Sequence, residues 1–344
     1  VVHDEADIEA LAGRLRFSEE QIDRAVEQAR RQAFVRAAGG EGANVPTIEE
    51  LYAVARVQST HNLGSLARKI TPRYSWKDLV LPEDAEAQLR EICNQAKYRH
   101  LIYGEWGFDQ KLSLGKGLNV LFSGPPGTGK TMGAEVIGGE LQLDIYRIDL
   151  SQIVSKYIGE TERNLNKVFT EARTSNAILF FDEADALFGK RSEVRDAHDR
   201  YANIEISYLL QKMEEYEGIS VLATNLRQNL DEAFTRRLSF VVDFPFPAAE
   251  SRRRIWASIW PRETPLSKEL DLDFIAGRFK LSGGSIKNVA LAAAFLAADE
   301  KSPVKTEHVL RATRREFQKM GKTLAPVEYG NYAELVAPAL AAAG

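Results

Sequence analysis

The sequence predicts an α/β domain between two helical units. Three observations carry this prediction. Short apolar segments alternate with amphipathic segments between residues 100 and 247, which is typical of parallel strands joined by helices. A glycine-rich loop, Gly124–Thr131, follows the first of these apolar segments. A helical pattern that begins near residue 7 recurs near residue 271.

The alternating region predicts five strands and four helices. The strands are expected at Val120–Ser123, Leu143–Ile148, Ala177–Phe181, Ile219–Ala223 and Phe240–Phe244. The helices are expected at Met132–Leu141, Thr161–Thr174, Ala202–Tyr216 and Leu230–Arg237. Because several of these strands are apolar throughout, they indicate a parallel sheet that is covered on both faces.

The recurring helical pattern organises the rest of the chain. Residues 7–33 and 271–297 share identical residues at equivalent positions, and each leads to a second amphipathic segment, at 46–57 or 306–317. We therefore predict one small helical unit used twice, with two unrelated helix pairs as the alternative. The predicted divisions are an N-terminal helical unit at 1–70, a linker at 71–99, an α/β core at 100–247, a helical lid at 248–321 and a tail at 322–344.

The composition is that of an ordinary globular protein. Apolar residues make up 44% and charged residues 27% of the chain, and the net charge is −4. This balance disfavours a nucleic-acid partner. No apolar run approaches the roughly 18 residues of a membrane span, so we expect no membrane partner either. Cys93 is the only cysteine, which excludes an internal disulfide and favours a reducing cytoplasm.

The loop Gly124–Thr131 fits the phosphate-binding pattern G-x-x-x-x-G-K-S/T between a strand and a helix. Glycines let backbone N–H groups point at an anion, and the helix N-terminus adds partial positive charge. Lys130 is expected to neutralise the β- and γ-phosphates of ATP, and Thr131 to bind Mg²⁺ through its hydroxyl. A chance turn is the alternative. The predicted nucleotide contacts in this segment are Gly124, Pro125, Pro126, Gly127, Thr128, Gly129, Lys130, Thr131 and Met132.

Two carboxylates, Asp182 and Glu183, follow the apolar strand predicted at 177–181. Asp182 is expected to bind Mg²⁺. Glu183 is expected to orient and deprotonate the attacking water. Two carboxylates with separate tasks indicate ATP hydrolysis and not binding alone. Taken by itself, the pair is equally consistent with an acidic turn after a strand.

Polar residues also end two later elements. Asn225 follows the strand predicted at 219–223, and its amide is expected to position the water and contact the γ-phosphate. A turn-forming asparagine is the alternative. Arg236 and Arg237 end the helix predicted at 230–237, where cations are favourable for local reasons. The functional reading is a pair of arginine fingers for the γ-phosphate bound to a neighbouring subunit.

In this order, the segments GPPGTGKT, FFDEAD, ATN and LDEAFTRR resemble the AAA family of ring ATPases, over about residues 100–320. The resemblance implies a P-loop NTPase (AAA+) core of five parallel strands in the order 5-1-4-3-2, followed by a helical lid. It also implies a homo-oligomer, usually a hexameric ring, that uses ATP and Mg²⁺. Ser282–Lys287 resembles the lid motif that touches the nucleotide, which implies contacts from Gly284 and Lys287. Trp106 and Gly107 are candidate adenine contacts.

The segment Lys156, Tyr157, Ile158 and Gly159 resembles the first pore loop of that family. There an aromatic residue grips a translocating polypeptide, and apolar contacts would let Tyr157 and Ile158 hold an extended chain. Packing of Tyr157 against its own domain is the alternative. The charged run at 189–200 is either a second pore loop, a subunit contact or a solvated surface.

These features together predict an ATP-hydrolysing ring motor that remodels, unfolds or threads proteins. The span Tyr74–Phe246 further resembles the ATPases encoded with bacterial contractile injection particles, which implies an injection-system protein as one polypeptide partner. An ATP-gated assembly scaffold without threading is the alternative, and a nucleic-acid motor is less favoured. The N-terminal helical unit is either the remnant of a preceding AAA module or a helical adaptor.

Overall fold

A computed structural model describes residues 19–39, 44–58, 66–111, 115–154, 159–173, 177–185, 197–225 and 232–335. The chain divides into two compact units. The first takes its described residues from 1–76, 83–124 and 130–243, and the second from 77–82, 125–129 and 244–344. The centre of the glycine-rich loop therefore belongs to the same unit as the C-terminal helices.

A six-stranded sheet forms the centre of the first unit. Its strands are β1 (Arg68–Ile70), β2 (Leu118–Ser123), β3 (Ile145–Asp149), β4 (Ile178–Asp182), β5 (Ile219–Thr224) and β6 (Phe240–Asp243). Their order across the sheet is β1-β3-β4-β5-β2-β6. Strands β2 to β6 are parallel, whereas β1 pairs antiparallel with β3.

The prediction of five strands, all parallel, is wrong because it missed β1. This strand has only three residues, Arg68–Ile70, and no apolar alternation marks it in the sequence. Contacts with β3 and the residue before it hold β1 in the sheet. Lys69 lies opposite Tyr146 on β3, and Lys69 Nζ is 2.6 Å from Asp144 Oδ2. Because β1 adds a strand at one edge, the order of the whole sheet differs from 5-1-4-3-2. When the five parallel strands alone are numbered along the chain, they have the predicted order.

The described part of the first unit also contains helices. A π-helical turn, Leu101–Glu105, and a 3₁₀ turn, Phe108–Gln110, follow the third of them. In the described part of the chain, no helix has the length and hydropathy needed to cross a membrane. The helices are α1 (Glu19–Ala38), α2 (Ile48–Gln58), α3 (Glu83–His100), α4 (Lys130–Leu141), α5 (Leu150–Ile153), α6 (Glu160–Ala172), α7 (Ala197–Glu215) and α8 (Glu232–Thr235).

The core of the first unit explains why its strands are apolar throughout. Every residue of β2 and β5 is buried. Phe181 on β4 packs against Phe169 on α6, with ring centroids 5.4 Å apart, and Phe169 in turn contacts Tyr216. The Tyr216 hydroxyl donates a hydrogen bond to the carbonyl oxygen of Ala177, at 2.9 Å. The buried sheet thus holds the polar residues at its strand ends in fixed positions.

The second unit is helical. Its helices are α9 (Ala249–Ser258), α10 (Leu272–Arg278), α11 (Gly283–Asp299) and α12 (Thr306–Lys319), followed by a 3₁₀ segment, Pro326–Tyr332. Trp256, Phe279, Ile286 and Tyr329 are among the residues of its core. Ser282 caps α11 by accepting a hydrogen bond from the N–H of Ser285.

Both halves of the predicted repeat contain a helix pair. The first pair is α1 with α2, and the second pair is α11 with α12. On α1 the buried residues include Ala25, Ala29 and Ala33. The residues at the equivalent positions of α11, Val289, Ala293 and Ala297, are also buried. Residues 1–18, which hold the start of the first copy, lie outside the described residues.

Candidate nucleotide site

The loop between β2 and α4 has the backbone of a phosphate cradle. Gly124, Gly127 and Gly129 have φ angles of 147°, 76° and 105°, in a region that side chains with a Cβ rarely adopt. The Thr128 hydroxyl donates a hydrogen bond to the carbonyl oxygen of Pro125, at 2.8 Å. Helix α4 begins at Lys130, directly after the loop, and the N-terminus of a helix favours a bound anion.

Within the second unit, the loop contacts the start of α11. The Gly127 carbonyl oxygen accepts a hydrogen bond from the Gly284 N–H at 2.9 Å. A Cβ atom at Gly127 would lie 2.7 Å from Ser282 Oγ. The structure therefore brings Gly284 to the predicted phosphate loop. Lys287, one turn later on α11, is exposed.

Lys130 contacts both the loop and the end of β5. Its Nζ donates hydrogen bonds to the Gly124 carbonyl oxygen, at 2.6 Å, and to Asn225 Oδ1, at 2.9 Å. Burial lowers the pKa of Lys130, and the negative charges of Asp182 and Asp185 oppose this shift. Lys130 and Asn225 come together because β2 and β5 are neighbours in the sheet.

Asp185 belongs to the site, although the sequence analysis did not select it. Its carboxylate accepts hydrogen bonds from the Thr224 hydroxyl and from the backbone N–H and the side-chain Nδ2 of Asn225. The Ala184 N–H also donates to the Ala223 carbonyl oxygen, at 3.0 Å. The signal that was available is a third carboxylate, three residues after Asp182.

Asp182 and Glu183 lie at the carboxyl end of β4. Asp182 Oδ2 is 2.8 Å from Nη2 of Arg147 on β3, and Asp182 Oδ1 accepts a hydrogen bond from the Glu183 N–H. Glu183 has a φ of 54°, which is the left-handed region and is uncommon for a residue other than glycine. Such strained backbone tends to occur at functional sites. The Glu183 side chain is exposed and therefore accessible to water.

The predicted arginine fingers follow α8 and are both exposed. Helix α8 ends at Thr235, two residues before the end predicted from the sequence, so Arg236 and Arg237 lie in the turn after it. Arg237 Nε is 3.3 Å from Glu214 Oε1 of the same chain.

Some predicted site residues lie outside the described residues. These are Lys156, Tyr157 and Ile158, together with residues 189–196 of the charged run. Gly159 is described: it has a φ of 81° and precedes α6 directly.

Trp106 and the segment Lys77–Pro82 lie in different units of the chain. The Trp106 side chain is 64% exposed, and Trp106 belongs to the first unit. Lys77–Pro82 instead lies in the second unit with the loop centre. Its Leu79 is buried, and Leu79 Cδ1 would be 3.6 Å from a Cβ atom at Gly129. No chemical motif marks this segment, so sequence reasoning did not select it.

The residues of the site fit Mg²⁺ and a nucleoside triphosphate. The three glycines leave the loop backbone open to phosphate, and Lys130 supplies a cation to it. The Thr131 hydroxyl and the Asp182 carboxylate are oxygen ligands, the type that Mg²⁺ prefers. The fold and the site together therefore define a P-loop nucleotide-binding domain.

The comparison with protein families makes this class more specific. Residues 120–246 match the model of the ATPase family associated with various cellular activities (AAA). The chain thus contains an AAA ATPase domain, which confirms the resemblance found in the sequence at the level of this domain.

Three relatives show the range of similarity. A 26S proteasome regulatory subunit 6B homolog of Dictyostelium discoideum is 33% identical over 239 residues, which cover 67% of this chain and 57% of that protein. A proteasome-activating nucleotidase of Aeropyrum pernix is 32% identical over 247 residues, covering 68% and 58%. An uncharacterized AAA family ATPase of Sinorhizobium fredii is 38% identical over 130 residues, covering 38% and 39%. The chain spans less than two thirds of the length of each of these relatives.

Proposed function

We propose that this chain hydrolyses ATP as a subunit of a ring that remodels or unfolds proteins. The observation that carries the proposal is the hydrogen bond from Lys130 to Asn225, next to Asp182, at the carboxyl edge of the sheet of an AAA ATPase domain. A polypeptide substrate is supported by the two relatives that are named for proteasome regulation and proteasome activation.

Each site residue has a task in the proposed reaction. The loop backbone and Lys130 bind the β- and γ-phosphates. Thr131 and Asp182 would hold Mg²⁺, which neutralises phosphate charge when bound. Glu183 takes a proton from the attacking water, and Asn225 Oδ1 accepts a hydrogen bond from that water.

The arginines and the segment before α6 have tasks that depend on a ring. Arg236 and Arg237 follow α8 and are exposed, which suits residues that reach the γ-phosphate of a neighbouring subunit. Tyr157 and Ile158 grip the polypeptide through apolar contacts. The left-handed backbone of Gly159 ends this segment at the start of α6. We propose a hexamer in the cytoplasm as the working form.

The narrower idea of service to a contractile injection particle rests on the resemblance over Tyr74–Phe246. None of the three relatives described above has a name that refers to such a particle. The competing scaffold hypothesis shares the nucleotide site and differs only in lacking a grip on a substrate. A variant at Tyr157 therefore separates the two.

The hydrolysis step is tested with Glu183→Gln. This variant should bind a fluorescent ATP analogue like the wild type, but its ATPase rate should fall by about 10²–10⁴-fold, the usual contribution of a general base. Lys130→Met is the matched variant that should lose nucleotide binding itself. Equal ATPase rates for Glu183→Gln and the wild type would show that Glu183 is not the base.

The protein-remodelling step is tested with Tyr157→Ala and its control Tyr157→Phe. The readout is unfolding of a fluorescent protein that carries an unstructured tail. Tyr157→Ala should keep most of its ATPase activity and lose unfolding, whereas Tyr157→Phe keeps the aromatic ring and should keep both. Full unfolding activity in Tyr157→Ala contradicts the grip, and ATPase activity without unfolding in the wild type favours the scaffold.

A further inference from the structure

The Asp185 carboxylate accepts hydrogen bonds from the side chain and the backbone of Asn225 and from the neighbouring Thr224. Asp185 Oδ2 accepts a hydrogen bond from Asn225 Nδ2 at 2.7 Å, and Asp185 Oδ1 accepts one from the Asn225 backbone N–H at 2.9 Å. Asp185 Oδ1 also accepts a hydrogen bond from the hydroxyl of the fully buried Thr224. The two residues are 40 positions apart in the chain.

The chemistry of the pair decides which way the Asn225 amide faces. An amide has one accepting oxygen and one donating NH₂ group, whereas an ionised carboxylate can only accept. The NH₂ group must therefore face Asp185, which leaves Oδ1 for the Lys130 ammonium at 2.9 Å. The reverse orientation would place NH₂ against the ammonium and Oδ1 against the carboxylate, so both contacts would be repulsive.

We infer that Asp185 is a positioning residue that fixes the Asn225 amide with its oxygen toward Lys130 and the attacking water. Asp185 touches neither phosphate nor water in this role and acts only through Asn225. The inference rests on the proposed hydrolysis. It adds that the Asn225 amide has one fixed orientation, in which its oxygen can accept a hydrogen bond from the water. It also explains why the turn after β4 is bonded to the end of β5: Asp185 sets the position of Asn225 relative to Glu183.

The amide contact is tested without any measurement of activity. In the nucleotide-free protein labelled with [¹⁵N]asparagine, the Asn225 side-chain signal is identified by its loss in Asn225→Ala. We expect a side-chain proton shifted away from the position of a solvated amide, because one N–H is bonded to a carboxylate. Asp185→Asn should move this signal, and the control Asp243→Asn, which removes a carboxylate from the end of β6, should leave it in place. A signal at the solvated position, unmoved by Asp185→Asn, overturns the inference.

The role in catalysis is tested by a double-mutant cycle. Asp185→Asn replaces one of the two accepting oxygens with NH₂. It should lower kcat by about 10–100-fold, the range seen when the partner that orients a functional side chain is removed. The affinity of Asp185→Asn for ATP should stay near that of the wild type. The control Asp243→Asn should keep both the kcat and the ATP affinity of the wild type. In the Asn225→Ala background, Asp185→Asn should cause no further loss of kcat.

Two results would contradict the proposed role. An equal loss from Asp185→Asn in the wild type and in Asn225→Ala means that Asp185 acts by another route, such as general stability. An unchanged kcat in Asp185→Asn means that the amide orientation is irrelevant to the reaction. A wild-type protein with no ATPase activity would defeat the proposed function instead, while the asparagine signals would still report whether the pair exists.

Discussion

The carbonyl oxygen of Gly127 accepts a hydrogen bond from the backbone N–H of Gly284, over a distance of 2.9 Å. Gly284 lies in the first turn of α11, where N–H groups have no partner within the helix. The phosphate loop supplies that partner. Gly127 and Gly284 are also close enough that a Cβ on Gly284 would lie 3.2 Å from Gly127 Cα. Glycine at both positions thus keeps the loop and α11 in direct backbone contact.

Gly127→Ala should weaken nucleotide binding strongly. A Cβ there would lie 2.7 Å from Ser282 Oγ, and the backbone φ of 76° is strained for alanine, at a cost of about 1–3 kcal/mol. Binding of a fluorescent ATP analogue should fall by about tenfold or more, since 1.4 kcal/mol is a factor of ten. Gly277→Ala on α10 is the control. Among the described residues, no atom outside its own helix and chain neighbours would lie within 4 Å of the new Cβ, so this variant should bind normally. Normal binding by Gly127→Ala would mean that the loop relaxes freely.

Arg236→Ala and Glu183→Gln should complement each other if the arginine acts on a neighbouring subunit. Each variant alone should be nearly inactive, because an arginine finger contributes about 10³–10⁵ to the rate. Every Arg236→Ala subunit keeps an intact Glu183. In mixed rings, some of these subunits receive an arginine from a Glu183→Gln neighbour. ATPase activity should therefore reappear on mixing. Arg237→Ala is compared in the same way, because Arg237 already pairs with Glu214 of its own chain. Mixtures without activity would place the arginine in its own subunit's site.

Arg147→Gln should raise the affinity of the nucleotide-bound protein for Mg²⁺. The guanidinium lies 2.8 Å from Asp182 Oδ2, so its positive charge opposes a second cation at that carboxylate. The gain should be about tenfold or less, because the Arg147 side chain is 40% exposed and solvent screens its charge. The measurement is a Mg²⁺ titration of ATP-analogue binding, with the exposed Arg163→Gln as control. Weaker Mg²⁺ binding would instead show that Arg147 orients Asp182 for the metal.

Cys93 should make the stability of the protein depend on alkaline pH. Burial, with a smaller contribution from the charge of Glu140, raises the pKa of its thiol from 9.0 to about 12. Because the unfolded thiol ionises first, the free energy of unfolding should fall as the pH rises from about 9 to 12. Urea denaturation should show a smaller decrease for Cys93→Ala than for the wild type. Equal pH dependence of the wild type and Cys93→Ala would mean that the thiol is accessible to water. Rapid reaction of the folded wild type with a thiol reagent at pH 8 would mean the same.

The sequence predicts which residues belong to the site better than it predicts their contacts. Gly124–Thr131, Asp182 and Asn225 each stand at the end of an apolar segment, and this pattern predicts them as site residues. Of these, Gly124, Lys130, Asp182 and Asn225 lie at the carboxyl edge of the sheet. Strand β1 was missed because three residues carry no periodicity. Leu79 was missed because it belongs to no chemical motif, although it is buried beside the loop.

The sequence by itself determined which residues can do chemistry here: a glycine loop with Lys130 and Thr131, paired carboxylates, and an asparagine after a buried strand. These are local patterns, read within a few residues of each other. The tertiary structure alone decided that Asp185 holds Asn225, that Arg147 pairs with Asp182, and that Gly127 bonds to Gly284. Each pair joins residues that are distant in the chain. Their contact depends on strand order and on the fold of the C-terminal helices, neither of which is encoded in any single segment.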